Sequence, residues 1–364
     1  MPDAATARRP SLRLLNGLAV ATVVAAGLRL GAPLLVPLAL ALFLAILSWP
    51  LAEWLLRRRV PAALAVLVTM LVLIAAISGF VLLVLGSLGE LREVGPFYLR
   101  EIQDRATYTI EWWQQKGIAV LDWIPERWRK PQSIVELASG TVAGTLRLLT
   151  EGTIVLLTLV FLLFEGIVLP RKLERLPPRV RDQLMHFAQV SRVLQRYLAI
   201  KMLMALLIGV AVGAWLSVLR IDFPVLCALL AFAFHFVPNV GAIVAAAPAM
   251  LLAVIQHDTG TAVLVGVGYL VIGIVLGNLL EPALMGRRLD LSPLVVFVSL
   301  IVWGWLWGTI GMFLSVPLTM AIKIVLEHSR DWAWAGRLLG GAPAMAAVPA
   351  SAAGDRPTTS DDDG

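Results

Sequence analysis

Between His235 and Leu326 the chain is too apolar to sit in water and too interrupted to be a row of plain helices. It reads HFVPNVGAIVAAAPAM and, further on, GNLLEPALMGRRLDLSPLVVFVSLIVWGWLWGTIGMFLSVPLTMAIKIVL. Pro238, Pro248, Pro282, Pro293 and Pro317 each remove a backbone donor. Asn239, Asn278 and Glu281 set polar atoms among aliphatic ones. Irregular backbone at membrane depth survives only where protein or a water-filled cavity satisfies its free groups. Secondary transporters build their binding sites from such interrupted helices. A transport path through this stretch is the first expectation.

Composition agrees with a membrane setting. Of 364 residues, 59% are hydrophobic and 15% charged, and mean hydropathy is +0.85. A soluble domain is closer to half apolar and a quarter charged. The net charge of +6 could suggest nucleic acid as a partner. The basic residues instead cluster in short loops beside apolar runs, as the positive-inside rule requires, so no nucleic-acid partner is expected. The one cysteine, Cys227, can make no intrachain disulfide.

Taken in order, residues 1–88 hold three apolar spans, with the N-terminal arginines and Arg57, Arg58 and Arg59 on the cytosolic side. Arg29 falls at the outer edge, where its long side chain can snorkel to the headgroups. Residues 89–147 are mixed in charge and carry Trp112, Trp113, Trp123 and Trp128; they read as an extracytoplasmic helical segment. The tryptophans suit interfacial anchoring or packing better than ligand stacking. A fourth span follows at 148–170, ending at Glu165 and a basic cluster. Residues 171–197 have the pattern of a cytosolic amphipathic helix. The C-terminal core, 198–327, holds the remaining spans, and the tail at 338–364 is too polar and too rich in Ala, Gly and Pro to bury a core. The class expected is all-α and polytopic, with about eight spans and broken or re-entrant helices in the C-terminal half. Two runs, 225–255 and 293–326, are too long for one comfortable span. Each is a tilted helix or a helical hairpin. Hairpins put Arg287 and Arg288 on the cytosolic side, which the charge rule favours.

Nucleotide hydrolysis has no motif here, since G-x-x-x-x-G-K-[ST] is absent, and neither H-E-x-x-H nor G-x-S-x-G occurs. The four histidines show no metal-ligand spacing. No enzyme activity, metal or cofactor is expected. Glu281 is the first candidate for function, because a carboxylate within a span is costly unless it is used. Beside an interrupted helix it can hold a proton or a monovalent cation; the bland alternative pairs it with Arg287 or Arg288 at the interface. His235, Pro238, Asn239 and Gly241 form a second group, and Gly277, Asn278 and Pro282 accompany Glu281. His235 can titrate near neutrality, though a lone histidine more often simply packs. The asparagines can meet a hydroxylated solute or cap broken helices. Gly273 with Gly277, and Gly304 with Gly308, have the spacing of close helix contacts.

The motifs Phe236-Val237-Pro238-Asn239-Val240-Gly241, Gly277-Asn278-Leu279-Leu280-Glu281-Pro282, Leu284-Met285-Gly286-Arg287, Leu291-Ser292-Pro293-Leu294, Trp303-Gly304-Trp305 and Ser315-Val316-Pro317-Leu318 recur in that order. Together they resemble the autoinducer-2 exporter family of bacterial inner-membrane proteins, most specifically from Arg196 to Leu326. The charge rule and the number of spans place both termini on the cytoplasmic side. The resemblance implies about eight helices and export of a small polyhydroxylated signal. In some relatives it implies exchange of sodium or lithium for protons instead. It also implies a homo-oligomer, with a pentamer as the size to test. A rival of another kind is a non-transporting scaffold that presents 89–147 to a partner.

Overall fold

The computed structural model describes residues 9–115, 141–174, 177–238, 240–285, 291–327 and 333–340. All regular structure among them is helical, as the apolar runs require, because a helix satisfies its own backbone where no water can. In chain order these are α1 (Arg9–Leu30), α2 (Ala32–Arg57), α3 (Ala62–Gln115), α4 (Thr141–Glu174), α5 (Pro178–Val218), α6 (Pro224–Phe234), α7 (Val240–Gln256) and α8 (Thr259–Ile272). A π-helix (Gly273–Leu280) then runs into α9 (Glu281–Met285), followed by α10 (Pro293–Glu327) and α11 (Ala333–Leu338). Among the described residues, six segments are long and apolar enough to cross a membrane: Ala32–Arg57, Ala62–Gly95, Gly152–Leu169, Ser191–Val218, Thr259–Met285 and Pro293–Glu327. The protein is a multi-pass helical membrane protein.

Two elements differ from the expected segmentation. The third span does not stop near residue 88; α3 continues as one helix for 54 residues, about 80 Å at 1.5 Å per residue. Likewise 178–197 is not separate from the span that follows, because α5 runs unbroken for 41 residues. Trp123 and Trp128, Arg287 and Arg288, and the tail beyond 340 lie outside the described residues.

Both long runs reverse direction. In the first, α6 and α7 are joined at 235–239, and the two ends of the run meet: the Asp222 backbone N–H donates to Gln256 Oε1 at 3.0 Å. In the second, α10 is formally one helix, but Gly308 has φ 64° and ψ −146°. Trp303 and Thr319 would lie about 24 Å apart along a straight helix, yet Trp303 Nε1 donates to Thr319 Oγ1 at 3.1 Å. A Cβ at Gly311 would overlap the Trp303 carbonyl, so the two legs press backbone to backbone.

The hairpins enter from opposite ends of α5. The mouth of the first adjoins the C-terminus of α5 through Ile221, buried in a core with Val212, Leu216, Cys227, Ala231 and Ala249. Val316 and Met320 of the second pack instead on Leu194, Tyr197 and Leu198 in the N-terminal half of α5. The tips meet between them, where Phe236 lies 6.1 Å from Phe313. An entirely apolar cavity of about 290 Å³ opens beside that contact. A separate core holds α2, α3 and α4 together through Ala41, Ala45, Val66, Leu159 and Leu163.

Small residues set the closest approaches. Gly209 and Gly213 of α5 face Ala228 of α6, where added Cβ atoms would come within 3.0 Å of its carbonyl and 3.1 Å of its methyl, respectively. Gly304 packs on the Met312 side chain, but without Gly308 as the partner its spacing suggested. Gly308 has open space around it and serves the turn instead, and Gly273 and Gly277 also meet nothing within 4 Å, which corrects their reading as a helix contact. Arg29 stacks its guanidinium 4.6 Å from the Trp305 ring, while Trp307 Nε1 donates to the Leu28 carbonyl at 3.1 Å. The alternating tryptophans thus dock α1 on the second hairpin. Glu165 pairs with Lys172 at 2.7 Å on an exposed face.

Gly308→Ala should lower the stability of the detergent-solubilised protein by an amount on the order of 1–3 kcal/mol, the usual cost of a side chain in such a backbone region. Gly79→Ala, in open space within α3, should be neutral or mildly stabilising. Thermal unfolding followed by circular dichroism compares the two.

Candidate functional site

A buried three-residue charge cluster joins α5, the tip of the first hairpin and the end of the π-helix. Lys201 Nζ donates to Glu281 Oε1 at 2.8 Å, with side chains only 11 and 12% exposed. His235 Nε2 lies 2.9 Å from Glu281 Oε2, within ion-pair distance but without the alignment of a hydrogen bond. Each residue is isolated in its own apolar run, and the fold brings the three together across 80 positions for Lys201 and Glu281. An ionised carboxylate at such depth is tolerable only because cations and donors face it.

The π-helix explains how Glu281 comes to point inward next to a proline. Pro282 cannot donate, and its ring would clash with the carbonyl four residues back in an α-helix. The Glu281 N–H reaches the Leu276 carbonyl five residues back, so the wider turn takes in the extra residue without a break. Such π segments occur often at functional sites. The expected interruption at Gly277–Pro282 is therefore a widening of a continuous helix. At the same end, Arg196 donates to the Leu284 carbonyl at 3.4 Å.

Around the cluster lies a cavity of about 370 Å³, lined among others by His235, Pro238, Tyr269, Gly277, Asn278 and Glu281. Gly273 and Gly277 present bare backbone to it. Among the described residues, the Tyr269 hydroxyl and the Trp215 indole N–H are buried without a hydrogen-bond partner.

This arrangement can be set beside known proteins. A family model described as AI-2E family transporter matches residues 18–331. The chain belongs to the AI-2E transporter family. It is 35% identical over 319 residues to the AI-2 transport protein TqsA of Escherichia coli (strain K12), covering 87% of this chain and 92% of that one. The putative transport protein YhhT of the same strain is 33% identical over 338 residues, 91% and 95% of the two chains. A putative transport protein of Haemophilus influenzae is 34% identical over 336 residues, 90% and 96%.

Within this AI-2E family chain the residues singled out by sequence part company. His235, Pro238, Gly277, Asn278 and Glu281 line one cavity. Gly241 serves the turn instead: a Cβ there would run into the Phe234 carbonyl. Pro282 shapes the helix and does not line the cavity, and Asn239 lies outside the described residues. Glu281 is paired with Lys201 and His235 rather than left for the arginines that follow it. Lys201 and Tyr269 were not singled out. The signal for Lys201 was present, since it is a lone lysine inside an apolar span.

Lys201→Met should be strongly destabilising, by about 3–5 kcal/mol as for other buried pairs that lose one partner. Lys201→Met with Glu281→Gln should recover at least half of that loss, because no uncompensated carboxylate remains. Thermal melts of the wild type, both single variants and the double variant give the cycle.

Proposed function

We propose that this protein is a secondary transporter of the bacterial inner membrane, with both termini cytoplasmic, that exports a small polar solute such as autoinducer-2. Proton exchange at the Lys201–Glu281–His235 cluster drives it. The observation that carries this reading is a buried carboxylate, paired with the Lys201 ammonium and 2.9 Å from the His235 ring, on the wall of a cavity between α5, the first hairpin and the segment from α8 to Glu281. A proton taken by Glu281 removes one charge of a neutralised cluster, and His235 and Lys201 then no longer need to face it. Asn278 and the unpaired Tyr269 hydroxyl suit a solute rich in hydroxyl groups. The name of TqsA supplies the candidate solute, and the family resemblance supplies the homo-oligomer, with a pentamer as the first size to test.

Exchange of sodium or lithium for protons is the second reading, favoured by the carboxylate itself. It requires the Lys201 ammonium, 2.8 Å from Oε1, to withdraw before a cation can bind.

Everted membrane vesicles with an interior-acid pH gradient separate these readings. Autoinducer-2 should dissipate the gradient in wild-type vesicles and do so at least tenfold more slowly in Glu281→Gln vesicles. A response to sodium or lithium alone, lost in Glu281→Gln, would establish antiport instead. Silence of the wild type toward all three would end the coupled-transport reading and favour the scaffold.

A further inference from the structure

The mouth of the first hairpin is tied by three side chains outside the Glu281 cluster. Tyr98, on the part of α3 that continues past its apolar stretch, donates its hydroxyl to Asp222 Oδ2. Gln256 Nε2 donates to the Tyr98 oxygen at 3.0 Å, and the Asp222 N–H returns a bond to Gln256 Oε1 at 3.0 Å. The ring of bonds therefore closes on itself, taking in the residues just before α6 and at the end of α7. The Tyr98 ring is buried with Phe223 and Ile255 and meets Phe223 edge-on at 6.0 Å. Burial, with help from the Asp222 carboxylate, pushes the phenol pKa up to about 12, so Tyr98 remains the proton donor at any physiological pH.

The backbone beside this ring is itself unusual. Arg220 and Phe223 have φ of 55° and 58°, left-handed values that non-glycine residues seldom adopt. Two such residues within one short turn mark a segment that its surroundings must hold in place. The hairpin's inner faces are built from small side chains: Ala245, Ala249 and Ala253 on α7, and Ala228 against Gly209 and Gly213. Smooth faces of this kind can slide without repacking, whereas interdigitated ones cannot.

We propose that Tyr98, Asp222 and Gln256 form a latch that fastens the first hairpin to the extension of α3, and that its opening lets the hairpin pivot about 219–223. The far end of the hairpin carries His235, so the latch positions a residue of the charge cluster from the other end of two helices. The proposal concerns how the hairpin is held and is independent of which solute or ion crosses.

Cys227 provides the readout. It is the single cysteine of the chain, lies on α6 beside the hinge and is 1% exposed. Its alkylation by N-ethylmaleimide, followed by mass spectrometry on purified protein in lipid nanodiscs, reports hairpin opening. Tyr98→Phe, which keeps the ring and removes only the hydroxyl and its two bonds, should raise the rate by at least about fivefold, the shift set by one net hydrogen bond. Gln256→Leu should do the same, and the double variant should add little, because both open one latch. Hydrogen–deuterium exchange should rise within 220–256 and stay unchanged in α2 and α4. The proposal fails if neither variant changes Cys227 alkylation by more than twofold. It also fails if exchange rises throughout the bundle, which would make Tyr98 a general stabiliser.

Discussion

A carboxylate can be kept ionised inside a bilayer only if the chain brings cations to it, and that requirement organises the C-terminal half of this protein. Glu281 needs α5 for Lys201 and a re-entrant hairpin tip for His235. Neither neighbour in sequence could supply both, because the helix that carries Glu281 presents one face at a time. Three elements must therefore converge at one depth. The π-helix before Glu281 is part of the same solution: it absorbs Pro282 and turns the carboxylate toward its partners without leaving orphaned backbone groups in an apolar medium.

The two hairpins follow from a related constraint. A chain that reverses within the membrane must hide its turn, and it does so with residues that have no side chain to place. Gly308 takes a backbone conformation that other residues avoid. Gly241 and Gly311 lie where a methyl group would overlap a carbonyl, of Phe234 and Trp303 respectively. The tips then cover each other with aromatic rings, with Phe236 against both Phe232 and Phe313. Each tip shields the other's exposed turn, and so the two interrupted runs of the sequence belong to one arrangement.

Much of this was legible in the sequence. Excess length with internal Pro and Gly left both runs as either tilted helices or hairpins, with the charge rule favouring hairpins, and a carboxylate amid aliphatic residues marked Glu281. Other features were not legible, for identifiable physical reasons. Periodicity cannot distinguish a proline that breaks a helix from one absorbed by a π turn, so Pro282 looked like an interruption. Spacing cannot distinguish a glycine that admits a neighbouring helix from one that faces a cavity, so Gly273 looked like a packing residue and Gly277 was read both ways. The pairing of Lys201 with Glu281 is a tertiary contact between residues far apart in the chain, and no local pattern encodes it. The same holds for Tyr98, which reads as one more aromatic residue until the hairpin mouth is seen against it.

The first hairpin is thus held at both ends by interactions of unequal strength. At the tip, the hairpin's own tie is His235 Nε2, 2.9 Å from Glu281 Oε2; the Lys201–Glu281 pair joins α5 to the end of the π-helix and fixes the carboxylate that His235 meets. The electrostatic part of the His235 contact disappears when the carboxylate takes a proton. At the mouth, each latch bond is worth about 1 kcal/mol net and is insensitive to protonation near neutrality. The tip is therefore the variable tie and the mouth the constant one. While Glu281 is charged, both ties hold the hairpin, and loosening the latch acts on top of the tip contact. Once Glu281 is neutral, the two ends become comparable, and the weak hydrogen bonds at the mouth set how far the hairpin opens. Under the proposed function this ordering keeps the pathway closed until a proton arrives, and it needs no element beyond the residues already in place.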